Sequence, residues 1–267
     1  MSTVSQISLR AKGELVAGAE DRQGKIPGFS QQALSAAHVV CVGAGGLISH
    51  IAPTLARKGV GKLTILDDDE VEVSNLNRQR FYAKDLGKSK AFALVENLQA
   101  ECIYATDLRG YRLRFEAAVG RGIDLACDVA VCGVDNNPAR IAASRHFRKL
   151  GVPAIFTAVS ADGGHGYVFV QEPNSPCFGC LFPDAVDSQT YPCPGTPAVA
   201  DIVQAVGAMA VYALDTCLMP RRRTWSYRSI WLSDGAYDSA QQVPLRVDCP
   251  LCAGATVVAN PYFVSTE

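Results

Sequence analysis

Residues 38–67 read HVVCVGAGGLISHIAPTLARKGVGKLTILD, and this stretch decides the fold class. Its first run, His38 to Val42, and its last, Lys62 to Asp67, have the mostly apolar character of buried parallel strands. Between them a turn with three glycines opens a segment, Leu47 to Arg57, whose apolar residues recur with helical spacing. The order strand, turn, helix, strand is a β-α-β unit. It predicts an α/β fold built on a Rossmann-like doubly wound sheet.

The glycine turn lies at the first βα junction, where such sheets bind nucleotides. Gly43, Gly45 and Gly46 let the backbone approach a phosphate, and the following helix N-terminus offers free N–H groups. In the usual dinucleotide interpretation, Asp67 would hold a ribose hydroxyl of NAD(P). Ile48 occupies the place of the third glycine of that fingerprint, and a purely structural turn is the alternative.

The polar segment that follows Asp67 favours a triphosphate over a dinucleotide. It contains four side chains suited to phosphate contacts, namely Asn75, Arg78, Gln79 and Lys90. Cationic and amide groups can neutralise a triphosphate and a leaving pyrophosphate. Taken by itself, the segment is also compatible with a solvated loop of mixed charge.

Together these segments resemble the ThiF/MoeB/HesA family, the ubiquitin-activating-enzyme-like adenylyltransferases. The resemblance is carried by the GAGG turn, the strand ending in Asp67, the run DEVEVSNLNRQ at 69–79 and the run DLGKSK at 85–90. It extends from about Asp21 to Gly254. Members use Mg-ATP to adenylate the C-terminal glycine of a ubiquitin-like or sulfur-carrier protein, so the resemblance implies an enzyme of this class.

The resemblance implies roles for individual residues. The nucleotide would be lined by Gly43, Gly45 and Gly46, the ribose held by Asp67, and the phosphates by Asn75, Arg78, Gln79 and Lys90. Asp135, in the segment CGVDN, would bind Mg²⁺, although an Asp before Pro138 can also cap a helix. Arg22, in the segment RQGKIPGF, would reach the ATP site of the partner subunit in a homodimer. An exposed arginine without such a role is the alternative.

Four of the ten cysteines form two C-x-x-C pairs, Cys177/Cys180 and Cys249/Cys252. Four thiolates suit a closed tetrahedral zinc site, and the long interval between the pairs would make it a staple between distant segments. The sequence contexts also resemble the zinc knuckles of the family. A structural Zn²⁺ is therefore expected, with a redox pair as the alternative.

Cys193 differs from the other cysteines because it lies in a Pro-rich loop directly before a predicted helix. A helix start lowers a thiol pKa and favours the reactive thiolate. In thiamine-type and ubiquitin-like activating members of the family, a cysteine before this helix forms a thioester or persulfide. Cys193 is thus a candidate nucleophile, against an accidental loop cysteine.

Composition bounds the remaining expectations. The 267 residues carry 25 Lys+Arg and 26 Asp+Glu, and a net charge of −1 argues against a nucleic-acid partner. The most apolar stretch, Ala205 to Met219, is short for a membrane span and is broken by Asp215. The N-terminus lacks the apolar core of a secretory signal, so a cytoplasmic protein without a membrane partner is expected.

Three parts are predicted along the chain. Residues 1–37 form an N-terminal arm and helix, and residues 38–170 form the Rossmann-like ATP-binding half. Residues 171–267 supply a crossover loop, a helix and a zinc-stapled C-terminal part of the same domain.

The predicted function is ATP-dependent adenylation of a carrier's C-terminal glycine, with thioester formation on Cys193 as a second step. That step would bring in a conjugating-enzyme-like protein. A sulfur-carrier adenylyltransferase of thiamine or molybdopterin type, served by a separate sulfur donor, needs no thioester and is the first alternative. A variant acting on a short peptide or a transfer-RNA nucleoside, an NAD-dependent dehydrogenase and an inactive scaffold are the others.

Overall fold

The computed structural model describes residues 4–13, 17–187 and 197–252. Within them nine strands form one sheet. The strands are β1 (Gln6–Lys12), β2 (His38–Val42), β3 (Lys62–Leu66), β4 (Ala105–Tyr111), β5 (Val129–Cys132), β6 (Ala154–Val159), β7 (His165–Gln171), β8 (Tyr227–Trp231) and β9 (Ser239–Gln241). The helices are α1 (Gln31–Ala36), α2 (Gly46–Lys58), α3 (Lys90–Glu101), α4 (Phe115–Gly120), α5 (Asn137–Leu150), α6 (Phe178–Leu181), α7 (Pro183–Asp187) and α8 (Ala200–Leu218).

The sheet has the order β1-β4-β3-β2-β5-β6-β7-β8-β9. Its five central strands, from β4 to β6, are parallel, and the flanking strands pair antiparallel. Because β3 and β5 lie on opposite sides of β2, the strand order reverses there. In such sheets the reversal leaves a crevice at the carboxyl ends of the two diverging strands. The prediction of an α/β fold with a doubly wound arrangement is confirmed.

The core has two halves because neighbouring residues of a strand point to opposite faces of the sheet. Val39 and Cys41 of β2 pack with the apolar faces of α2, α3 and α8. Val40 and Val42 pack on the other side with Phe115 of α4 and with α5 and α6. Both faces of the central strands are therefore covered, which accounts for their unbroken apolar sequence.

Two helices that shape the crevice begin and end as their sequences dictate. The N-cap of α5 is Asn136, whose side-chain oxygen accepts a hydrogen bond from the Ala139 N–H at 2.9 Å. Both α2 and α5 end at a glycine in the left-handed region, Gly59 with φ 91° and Gly151 with φ 69°. A side chain is disfavoured in that conformation, so these glycines terminate the helices.

Among the described residues, α8 is the one helix long and apolar enough, by length and composition, to cross a membrane. It has 19 residues because it begins at Ala200, before the apolar stretch 205–219, and the whole helix meets the length criterion that this stretch alone does not. Half of it is buried, and it packs on α2, β6 and β7. Its Asp215 is 1% exposed and ion-paired. This packing in the core accounts for the apolar composition of the helix.

The structure also differs from the sequence-based expectations. Residues 6–12, assigned to an arm, form β1 at the edge of the sheet, with Ile7 and Leu9 packed against the core. The crossover loop expected at the start of residues 171–267 contains the short helices α6 and α7. Cys102 is the C-cap of α3, and β4 begins three residues later at Ala105. The division into three parts stays a prediction.

Candidate nucleotide-binding site

A cavity of about 1690 Å³ opens at the carboxyl ends of β2, β3 and β5, where the strand order reverses. All the described residues predicted to hold the nucleotide, its phosphates or Mg²⁺ line it: Gly43, Gly45, Gly46, Asp67, Asn75, Arg78, Gln79, Lys90 and Asp135. These residues come from four separate segments of the chain. Only the sheet topology brings the segments together.

The floor of the cavity is the glycine turn. Gly43 has φ 97°, and a Cβ there would lie 3.2 Å from Val134 Cγ1 and 3.4 Å from the Gly133 carbonyl oxygen. The positive φ strongly favours glycine at this position, and a side chain would in addition be tight against Val134. At Gly45, the N-cap of α2, no side chain of the described residues caps the helix. The first N–H groups of α2 are thus available to an anion.

Ile48 occupies the position of the missing third glycine, and a glycine just after β5 leaves room for its side chain. The side chain is fully buried in the first turn of α2. A Cβ added to Gly133, just after β5, would lie 2.7 Å from Ile48 Cγ1. In the usual fingerprint the third glycine permits close packing of helix on strand. Here Gly133 supplies that room from the strand side.

Asp67 is held rigidly at the end of β3. Its carboxylate accepts hydrogen bonds from the Ala44 N–H at 2.6 Å and the Asp69 N–H at 2.9 Å. Burial raises the pKa of Asp67 to about 6, although Lys90 and the two N–H groups act in the opposite direction. The bond to Ala44 ties the carboxylate to the glycine turn, and the carboxylate can accept further hydroxyl donors.

Two cations face the cavity from the polar segment. Lys90, 8% exposed at the start of α3, places its ammonium 2.9 Å from the Asp69 carboxylate. Arg78 is partly buried and donates to the Ser74 carbonyl at 2.7 Å, while the His50 ring contacts the Arg78 carbonyl at 3.0 Å. The spacing of the motif predicted both cations, but it did not reveal Asp69 as the partner of Lys90.

The amides Asn75 and Gln79 are buried, but their environments differ. Asn75 Oδ1 accepts the Glu72 N–H at 3.0 Å, so this side chain stabilises its own loop. Gln79 is 8% exposed, and its Oε1 atom has no hydrogen-bond partner among the described residues. A buried polar atom without a partner is costly, which marks Gln79 as a group that a ligand or water would satisfy.

Asp135 is exposed on the cavity wall opposite Asp67 along the sheet. Asn136 caps α5, so the capping alternative for Asp135 is not what the structure shows. Arg140, one turn into α5, also lines the cavity, is 9% exposed and has a buried Nε without a partner. Sequence reasoning missed Arg140, although its place three residues after Asn137 on the helix could have suggested that it faces the site.

A smaller pocket of about 330 Å³ is bounded by Arg78, which also lines the main cavity. Its other walls are Asn77, Asp162, Gly163 and the segment 197–199. Pro197 and Ala198 belong to both spaces, so the two adjoin. The smaller pocket is therefore a side branch of the main cavity.

Arg22 is exposed and lies outside the cavity of its own chain. The neighbouring Gln23 donates to the carbonyl of Lys58, at the C-terminal end of α2, whereas the cavity lies at the N-terminal end of that helix. A helix of 13 residues is about 20 Å long. Arg22 therefore does not contribute to this site from within the same chain.

The four paired cysteines converge, although two segments far apart in sequence supply them. The Cys177 and Cys249 sulfurs are 3.5 Å apart, those of Cys180 and Cys252 are 3.4 Å apart, and all four sulfurs lie within 4.8 Å of one another. Tetrahedral ligands at a Zn–S distance of about 2.3 Å would stand about 3.8 Å apart. All four residues are buried, so the donor set and its spacing fit a closed structural zinc site.

The remaining described cysteines are not placed for chemistry. Burial raises the pKa of Cys41, Cys127 and Cys217 to about 12, and that of Cys132 to about 11. Thiols of this kind are inert as nucleophiles. The predicted nucleophile, Cys193, lies outside the described residues.

The fold and the cavity define an α/β protein whose candidate site lies at the switch point of a doubly wound sheet. The model of the ThiF family matches residues 18–252, and the chain belongs to that family. The SAMP-activating enzyme of Haloferax volcanii is 31% identical over 229 residues, which cover 83% of this chain and 82% of that protein. The sulfur carrier protein adenylyltransferase of Thermus thermophilus is 32% identical over 234 residues, covering 83% of this chain and 84% of that protein.

A solved structure supports the fold assignment. The crystal structure of E. coli MccB with ATP superimposes with a TM-score of 0.67 at 20% identity, covering 83% of this chain and 68% of that one. At this identity the likeness concerns the fold. With the family and its relatives, the prediction that this chain is an enzyme of the adenylyltransferase class is confirmed.

Proposed function

We propose that this enzyme uses ATP to adenylate the C-terminal glycine of a ubiquitin-like or sulfur-carrier protein. The observation that carries the proposal is the cavity at the reversal of the strand order. There a glycine turn, a rigid carboxylate at Asp67 and the cations Arg78 and Lys90 face one space. Two relatives are named for the activation of SAMP and of a sulfur carrier. Family membership favours this reaction over a dehydrogenase.

In the reaction, a carboxylate oxygen of the carrier attacks the α-phosphorus of ATP. The bond from that phosphorus to the bridging oxygen breaks, and the products are the acyl-adenylate and pyrophosphate. A carboxylate is already the nucleophile, so no residue has to remove a proton. The work of the protein is then to orient the two reactants and to offset charge on the phosphates.

Residues of the cavity divide that work. The N–H groups of the glycine turn and of the first turn of α2 would hold phosphate oxygens, and Asp67 would accept the ribose hydroxyls. Lys90 can exchange its exposed partner Asp69 for a phosphate oxygen, because the ammonium lies at the cavity wall. Arg78 and the amide of Gln79 would contact the remaining phosphate oxygens.

Mg²⁺ would be held by Asp135. Magnesium in nucleotide enzymes is usually bound by one or two carboxylates together with substrate phosphates and water. The exposed Asp135 carboxylate on the cavity wall fits that pattern. When bound, the ion would neutralise phosphate charge and assist departure of pyrophosphate.

The extended end of a polypeptide could enter through the smaller pocket beside Arg78. Gly163 and Val199 are neighbours in its wall, because a Cβ on Gly163 would lie in ordinary contact with Val199 Cγ2, at 3.5 Å. The pocket's volume of about 330 Å³ leaves room for a short stretch of extended chain. It leads toward the space where the α-phosphate would lie.

Zn²⁺ held by Cys177, Cys180, Cys249 and Cys252 would have a structural role. Four thiolates complete a tetrahedral site and leave no open position for catalysis. The ion would fasten the segment after β9 to α6, beneath the far wall of the cavity. Phe178 and Phe182, next to these cysteines, line that wall.

The enzyme would act as a cytoplasmic homodimer in which Arg22 of each subunit serves the cavity of the other. The exposed position of Arg22, about one helix length from its own cavity, is compatible with action in trans. A second step, transfer of the acyl group to Cys193 as a thioester, would make it an activating enzyme for conjugation. Without that step the enzyme is a sulfur-carrier adenylyltransferase, and an external sulfur donor attacks the adenylate.

ATP–pyrophosphate exchange tests the proposal. Exchange of labelled pyrophosphate should require a carrier ending in glycine, should be lost in Asp135→Ala and should persist in Glu96→Ala, which removes an exposed carboxylate of α3. The absence of exchange with every such carrier would refute the proposal. Cys193→Ala should leave exchange intact and remove any thiol-sensitive carrier adduct, and an unchanged adduct would refute the thioester step.

A further inference from the structure

Three charged side chains form a cluster around the buried carboxylate of Asp215, at the end of the molecule away from the cavity, and those of Lys58 and Arg221 are 19% and 20% exposed. The side chain of Asp215, on the last turn of α8, is 2% exposed, and its carboxylate oxygens lie 2.5 and 2.6 Å from the Lys58 ammonium. The Arg221 guanidinium donates to the same carboxylate at 2.6 Å. Lys58 is the last residue of α2, and Arg221 follows the end of α8. The cluster therefore joins the C-terminal ends of two helices.

Stability alone gives a poor account of this cluster. Removing charges from water is costly, and an apolar replacement of a buried ion pair is often as stable as the pair. Two cations around a single carboxylate leave an uncompensated positive charge. What such directional contacts do supply is a fixed geometry between the parts that they join.

The segment that rests on this cluster is residues 22–30, here named the arm. The Phe29 ring lies over the Lys58 ammonium, 5.5 Å from its centroid. The Ser30 N–H donates to the Met219 sulfur at 3.5 Å, just beyond α8. The end of the arm is thus attached to the same two helix ends that the cluster joins.

Two further contacts attach the arm closer to its tip. Gln23 Nε2 donates to the carbonyl of Lys58 at 3.2 Å. Gly28 has φ 77°, and a Cβ there would lie 2.7 Å from the Pro220 carbonyl oxygen. The backbone of the arm therefore lies directly against the chain between α8 and Arg221. Gly24, in contrast, has no atom within 4 Å of a Cβ placed on it.

Arg22 stands next to Gln23 at the tip of the arm. Its guanidinium has no hydrogen bond or ion pair to any described residue. We propose that the Lys58–Asp215–Arg221 cluster positions Arg22 by fixing the arm on the ends of α2 and α8, so that a second copy of the chain receives this guanidinium in its nucleotide cavity. The inference rests on the proposed function, in which Arg22 acts in trans, and Asp215 is its central positioning residue.

Placement decides how much a charged group contributes to a transition state. A displacement of about 1 Å can reduce a rate on the order of 10²-fold. Loosening the arm should therefore reduce turnover at the partner's cavity and leave the cavity of its own chain unchanged. A general loss of stability would affect both cavities.

Mixed dimers separate these two effects. Two chains carrying different affinity tags are co-expressed: a donor with Asp135→Ala, whose arm is intact, and an acceptor with Arg22→Ala, whose cavity is intact. The purified mixed dimer holds one site that combines an intact cavity with an intact arm. Asp215→Asn or Gly28→Ala is then placed in either the donor or the acceptor, and Gly24→Ala in the donor is the matched control.

We expect carrier-dependent ATP–pyrophosphate exchange to fall on the order of 10²-fold when either substitution is in the donor, and by less than about twofold when it is in the acceptor. Gly24→Ala should change nothing. Trypsin cleavage after Lys25 should accelerate in Gly28→Ala and not in Gly24→Ala, because only the former frees the arm. Gly28→Ala keeps the test valid if Asp215→Asn fails to fold.

Equal losses in donor and acceptor, or no loss in either, would overturn the positioning role. If the wild-type enzyme exchanges pyrophosphate but the unsubstituted mixed dimer does not, Arg22 does not act in trans. This inference then fails while adenylation stands. If the wild-type enzyme does not exchange with any carrier, the proposed function itself fails.

Discussion

Replacing Asp67 with Asn should stabilise the folded protein at neutral pH and weaken its binding of ATP. Burial raises the pKa of Asp67 from 3.8 to about 6, so the folded protein binds this proton more tightly than the unfolded chain does. The contribution of Asp67 to the free energy of unfolding is then greatest below the pKa that this group has in the unfolded chain, and it falls as pH rises from about 4 to about 6. Above pH 6 the ionised carboxylate costs the folded state about 3 kcal/mol.

Asn keeps the shape of the side chain without its charge. Its single acceptor oxygen can satisfy the Ala44 or the Asp69 N–H but not both, which costs about 1 kcal/mol at any pH. This cost is the same at every pH, so the change in the free energy of unfolding between two pH values isolates the effect of the charge. We expect Asp67→Asn to gain about 2 kcal/mol relative to wild type between pH 4.5 and pH 7.5.

Urea unfolding of both proteins at pH 4.5 and 7.5 measures this difference, and equilibrium binding of ATP at pH 7.5 measures the functional cost. ATP affinity should fall about 10- to 100-fold, the usual range for hydrogen bonds to a charged group. Asp68→Asn is the matched control, because Asp68 is 42% exposed and pairs with Arg114 at the surface. It should change stability by less than about 1 kcal/mol. The role of Asp67 would be refuted if Asp67→Asn lost stability relative to wild type as pH rises. It would also be refuted if this variant bound ATP as tightly as the wild type does.

Three further predictions address the phosphate contacts, the zinc site and the packing of the glycine turn. Lys90→Ala should weaken ATP binding by at least about tenfold. Lys88, two residues before the same helix, has a side chain that is 43% exposed, and Lys88→Ala should leave the affinity within about twofold. Equal effects of the two substitutions in calorimetry would contradict the assignment. Metal analysis should find about one zinc per chain. Cys249→Ser should lose the zinc and unfold at a temperature at least about 5 °C lower, whereas Cys102→Ser should do neither. A wild-type protein without zinc would favour the redox interpretation of the cysteine pairs. Gly133→Ala should lower the free energy of unfolding by about 1 to 3 kcal/mol, because the new Cβ would collide with Ile48. In the double variant, Ile48→Ala should remove most of that loss. If the two losses are additive in urea unfolding, the contact between the two residues does not matter.

Local sequence predicted the central β-α-β unit well, because its strands are apolar on both faces and its helix ends at Gly59. It did not predict β1, although Ile7, Leu9 and Ala11 alternate with polar residues as in a half-buried edge strand. The short β9, with the sequence SAQ, has no such pattern, and the structure shows it paired with β8. Strands of this kind depend on tertiary pairing more than on their own residues.

The candidate site shows the same limit. Motif spacing selected Asp67, Arg78 and Lys90, and the sheet reversal brings them to one cavity. The spacing could not reveal that Asp69 pairs with Lys90, or that Gly133 makes room for Ile48, because these contacts join segments through the fold. The cysteines were easier to predict, since two pairs of thiols with short spacing have few physical uses.

Isotope transfer from the carrier tests the central claim most directly. A carrier whose C-terminal carboxylate contains ¹⁸O is incubated with the enzyme and Mg-ATP, and hydroxylamine then releases AMP from the acyl-adenylate. If the carboxylate attacks the α-phosphorus, one ¹⁸O atom should appear in AMP and none in pyrophosphate. Label in inorganic phosphate, or AMP without label, would contradict adenylation of the carrier by this enzyme.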